Sequence, residues 1–155
     1  MKSIFLILLL GLAWEAASAN EQEPPRSKPA PLDWNQTAES ARSRALQIAA
    51  DGKSQGYALR DGFWSGTLEK GKTIVIPVHL FAWNDYTFSA ATLDPGSQIR
   101  LAIFDRWGNA AGGEASTGES SAHAWISAVR SDRFYIRLEL TEGDKTEACM
   151  VYSYK

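Results

Sequence analysis

The sequence predicts an all-β domain: a jelly-roll-like antiparallel β-sandwich of seven to eight strands, preceded by one N-terminal helix. Two observations carry this. First, short segments alternate apolar with polar or small residues: Tyr86–Ala90, Ile99–Ile103, Phe134–Leu140 and Met150–Tyr154. Alternation buries one face of a sheet and leaves the other wet. Second, clusters of turn-forming residues separate these segments at short intervals. Many short strands broken by turns favour a sandwich or barrel over a βαβ enzyme core.

Taken in order, Met1-Lys-Ser supplies a positive start, Ile4–Ala13 an apolar run and Ala17-Ser-Ala19 a small-residue cleavage site. That is the three-part plan of a secretory signal over residues 1–19. The run is shorter than the roughly 20 residues of a membrane span, so no span is expected after cleavage. Residues 20–33 hold Pro24, Pro25, Pro29 and Pro31 among polar residues, a composition that favours an extended tether. The mature chain of about 136 residues suits one domain. Its product is expected to be secreted or periplasmic.

A helix is expected over 34–52. Asp33 can cap it with Gln36 as capping-box partner, and Gly52 can stop it. Ala38, Ala41, Ala45, Ile48 and Ala49 make a narrow small-residue stripe at helical spacing. Such a stripe lets a helix approach closely, so the helix is expected to lie against the sandwich; docking on another protein is the alternative.

The β-sandwich domain is expected over 56–155. Gly62–Leu68 and Thr73–Phe81 are its first strands, and Pro77 marks the second as an edge or a bulge because it removes a ladder donor. Asp94-Pro-Gly-Ser97 and Asp105-Arg-Trp-Gly-Asn109 are turns. Ala122–Val129 and Glu147–Tyr154 complete the set. Trp64 and Trp125, flanked by apolar neighbours inside strands, are expected in the core.

The succession Gly66-Thr-Leu68, Lys70-Gly-Lys72, Asn84–Ala90, Leu101–Asn109, Ser131–Arg137 and Tyr152–Lys155 resembles the bacterial pre-peptidase C-terminal type of domain, over roughly residues 62–155. The resemblance implies a jelly-roll-like sandwich serving as an accessory module of exported proteins, in some members binding calcium or polymeric substrates. Members commonly carry acidic residues where this chain has Ser97-Gln-Ile-Arg100, and Arg100 counts against calcium at that point.

The formal charge is −2 with signs interspersed, which argues against nucleic acid and against an anionic membrane surface. Cys149 is the single cysteine and reads as a buried thiol; a domain of this size needs no disulfide framework. No catalytic set stands out. Gly-x-Ser-x-Gly is absent, and His79 and His123 show no metal-ligand spacing. No cofactor is expected. Calcium is the alternative, through Asp85, Asp94 and Asp105.

The remaining clue is tryptophan at turn tips, either folded back on the core or presented to a ligand. Trp83, Asn84, Asp85, Asp105 and Trp107 are therefore the candidate ligand-binding residues. The expected function is a non-catalytic binding or accessory domain whose partner is a protein or a polysaccharide. A carbohydrate-binding protein using loop tryptophans, a structural subunit and a hydrolase assembled from dispersed residues are the alternatives.

Overall fold

The computed structural model describes residues 34–51, 53–60, 62–113 and 119–155. The expected signal, the tether, Asp33 and Gly52 lie outside the described residues. The elements are helix α1 (Trp34–Asp51), a 3-10 turn (Lys53–Gln55), β1 (Ala58–Leu59), β2 (Trp64–Glu69), β3 (Thr73–Leu80), β4 (Asn84–Thr92), β5 (Gln98–Phe104), β6 (Ser121–Ala128), β7 (Asp132–Glu142) and β8 (Lys145–Tyr154). No described helix is long and apolar enough to cross a membrane.

The strands form two antiparallel sheets. Sheet A runs β1–β8–β4–β6, with β2 on the same flank of β8 as β1. Sheet B runs β3–β7–β5. Among the described strands β3 pairs only with β7 and carries Pro77 opposite Tyr135, so it is an edge, where a missing N–H leaves no gap in a ladder.

The alternation read from the sequence sets the core. Sheet B contributes long aliphatic side chains, among them Leu80, Leu101, Ile136 and Leu138. Sheet A answers with Tyr86, Phe88 and Met150 set among Ala90, Ala122, Ala124 and Ala148. Buried Tyr86 accepts a hydrogen bond from the Phe81 N–H at 2.9 Å, so its phenol is satisfied.

Two stretches break the alternation. Phe88–Thr92 in β4 and Ala148–Val151 in β8 are buried at every residue. The cause is α1, whose Ala41, Ala45 and Ala49 pack on Ala91, Cys149 and Val151 across the outer face of sheet A. Side chains this small let the helix sit close to the pleat, and they explain why Cys149 is buried. Arg44 ties the helix down: it donates to Thr92 O at 2.8 Å, Leu93 O at 3.1 Å and Ser120 Oγ at 3.0 Å. Enlarging the contact with Ala45→Leu is expected to destabilise the protein by about 1–3 kcal/mol, because a fully buried alanine has no room for extra methylenes. Urea denaturation checks this; an unchanged midpoint would mean that the helix does not dock through this face.

One expectation fails. Trp125 is 53% exposed rather than in the core. The inner face of β6 is built from Ala122, Ala124, Ile126 and Ala128, which puts His123, Trp125 and Ser127 outside. Trp64 is half-buried and packs against the core.

Candidate functional site

The loop end of the sandwich is assembled by hydrogen bonds and ion pairs between three connections. Trp83 N–H donates to Ala128 O at 2.7 Å, and Ala82 N–H donates to Ser131 Oγ at 2.9 Å, so the β3–β4 loop is fastened to the β6–β7 turn. Asp132, at the start of β7, receives Arg106 at 3.6 Å and Arg130 at 3.4 Å, which fastens the turn after β5 to the same place.

The five candidate residues therefore come to one end of the molecule, but in two roles. Asn84 donates through Nδ2 to Tyr86 Oη at 3.3 Å. Asp85 accepts from Ser127 Oγ at 2.5 Å. Asp105 accepts from the N–H groups of Trp107 and Asn109, each at 2.9 Å, and closes its own turn. These three polar side chains hold the loops in shape. Asp94 does the same in its turn, accepting from Gly96 N–H and Ser97 Oγ. Among the described residues, no three His, Cys, Asp or Glu side chains converge as metal ligands.

The two tryptophans face outward. Trp83 is 87% exposed and sits at φ 64°, in the left-handed region. It is the one non-glycine residue there among those described. Trp107 is 57% exposed, with the guanidinium carbons of Arg106 and Arg130 at 4.3 and 4.7 Å from its ring centroid. Val129, at 74% exposure, adds to the apolar surface. A cleft of about 550 Å³ opens at the base of the β3–β4 loop between Phe81 and Tyr154, with Arg60 and Asn84 in its lining. Sequence reasoning missed Arg60, Arg106, Arg130 and Val129. The two arginines flanking Trp107 and Asp132 were legible only as turn residues, because their convergence depends on sheet order.

Desolvation raises the Asp105 pKa, but hydrogen bonds from the backbone and side chain of Asn109 and from the Trp107 N–H outweigh it. With help from Arg130, they hold the carboxyl below its ordinary value of 3.8. A carboxyl lowered by folding stabilises the fold fully above the ordinary value, and that contribution is lost as pH falls through the folded-state value. In an acid titration the Trp107 and Asn109 amide signals are expected to move with a midpoint below the ordinary carboxyl value, and to stay still in Asp105→Asn. Movement centred at or above the ordinary value would contradict the hydrogen-bonded turn.

Ser89, His123 and Asp51 line one groove on the outer face of sheet A. A nucleophile must reach its substrate, and Ser89 is only 2% exposed. The groove does not present its hydroxyl for attack.

No protein-family model matches the chain, and no curated protein matches it. Of what the resemblance to the pre-peptidase C-terminal type implies, the structure shows the β-sandwich. Among solved structures the chain is similar to Aeromonas hydrophila PliG, a periplasmic lysozyme inhibitor of g-type lysozyme, at 14% identity and a TM-score of 0.42. The match covers 65% of this chain and 90% of that one. A likeness at that level transfers no ligand or partner.

Proposed function

We propose that the protein is an exported, non-catalytic binding domain that takes a protein partner on its loop end. Export follows from the signal-like pattern of residues 1–19. The observation that carries the binding role is Trp83: a large indole, 87% exposed, held in a backbone conformation that favours glycine. Non-glycine residues in that region are strained by about 1–3 kcal/mol and cluster at functional sites. The fold gains nothing visible from an indole there, since the bond to Ala128 uses only the backbone N–H.

The surroundings support the same reading. Tryptophan and arginine dominate the residues that carry binding energy at protein interfaces. Trp83, Trp107, Arg106, Arg130 and Val129 lie on loops already fastened to one another, so little ordering is left for the moment of binding.

The test compares the wild-type protein with a Trp83→Ala/Trp107→Ala variant in capture experiments from the envelope and secreted fractions. A partner held by the first and lost by the second supports the reading, provided circular dichroism shows both folded. A partner held equally by both would move the site elsewhere.

A further inference from the structure

Helix α1 packs on β8 and β4 and leaves β6, the edge strand of sheet A, uncovered. This step makes a groove of about 370 Å³ between the end of the helix, the chain that follows it and the outer faces of β4 and β6. Antiparallel register sets its floor as a block of four side chains, with Thr87 opposite Trp125 and Ser89 opposite His123. Gln55 and Tyr57 line it from the helix side.

Trp125 is held in place within this groove. Gly113 N–H donates to Trp125 O at 2.9 Å, and the glycine backbone lies against the indole. A Cβ at that position would stand 2.3 Å from the ring atoms Cε2 and Nε1, so only glycine permits the contact. Part of the ring is covered by Gly113, and the rest remains open to solvent.

We infer that this groove is a binding site for a neutral oligosaccharide, with Trp125 as the stacking platform. A pyranose offers an apolar C–H face and a rim of hydroxyls. The groove offers a rigid indole for the first, and the Thr87 hydroxyl, Gln55 amide and Tyr57 phenol for the second. Among the described residues no lysine or arginine lines it, which disfavours an acidic ligand. Its size lies within the range of small-ligand sites, and its floor is built on strands rather than loops. The site is separate from the loop end carrying Trp83 and does not depend on the role proposed there.

The experiment is calorimetric titration of the full chain with cellohexaose, chitohexaose and maltohexaose. At least one is expected to bind saturably. Trp125→Ala is expected to weaken that binding about tenfold or more, equivalent to about 1.4 kcal/mol. Trp125→Phe retains an aromatic face and is expected to keep most of the affinity. Thr87→Val, which preserves shape and removes a hydroxyl, is expected to weaken it severalfold and stands in should Trp125→Ala fail to fold. Trp83→Ala is expected to bind as the wild type does. Absence of saturation by all three sugars up to about 10 mM would overturn the inference, as would full affinity in folded Trp125→Ala or Thr87→Val.

Discussion

Trp83→Gly is expected to make the protein more stable and to abolish partner binding at the same time. Holding a side chain in the left-handed region costs about 1–2 kcal/mol, which glycine relieves. Glycine also gives the unfolded chain more freedom, which takes back about 0.4–1 kcal/mol. The net gain is then about 0–1.6 kcal/mol, centred near 0.8, or a few degrees in Tm for a body of this size. Nothing in the fold is lost, because Ala128 O is paired with the Trp83 backbone N–H. The contrast with Trp83→Ala sharpens the test. Alanine keeps the strain and removes the indole, so binding falls without the gain in Tm. If Trp83→Gly lowered Tm, the exposed ring would have to support the fold, and the binding role would lose its main argument.

Arg44→Met is expected to destabilise the protein by about 2–4 kcal/mol, a large part of the roughly 5–15 kcal/mol that holds a domain of this size together. Hydrogen bonds from a charged donor contribute about 1.5–3 kcal/mol each, and Arg44 makes three partly buried ones. Water can re-solvate some of the freed acceptors, which keeps the loss below the sum. Arg44→Lys is expected to recover under half, since an ammonium lacks the planar fork that reaches Thr92 O and Ser120 Oγ together. Chemical denaturation measures both. A loss below about 0.5 kcal/mol, the range of ordinary surface substitutions, would show that the clamp is not formed.

The strands were legible because their faces differ: Phe134 to Leu140 alternates cleanly, and Pro77 marks an edge by its missing donor. The turn at Asp105 was legible because its side chain closes the loop locally. The alanine stripe likewise announced its packing on a sheet. Trp125 was misread because the inward face of β6 is nearly all alanine, so hydrophobicity assigned the larger residue to the core. The phase of a strand is set by its neighbours across the sandwich, where long side chains from sheet B already fill the space. Strand β1, two residues long, offers no period to read. At the candidate site, the tryptophans stood out as types, while the binding of Asn84 and Asp85 to Tyr86 and Ser127 required the folded geometry.

The position of β8 makes the completion of sheet A depend on the C-terminal end of the described fold. This strand follows every other in the chain, yet it is the one that β1, β2 and β4 all pair with. Until it leaves the ribosome, β1 and β2 have no partner in their sheet, and the outer surface on which the helix lies is missing Cys149 and Val151. Long-range pairing of this kind delays folding. Sheet A is therefore completed by its C-terminal strand, whereas sheet B and the β4–β6 pair can form before it.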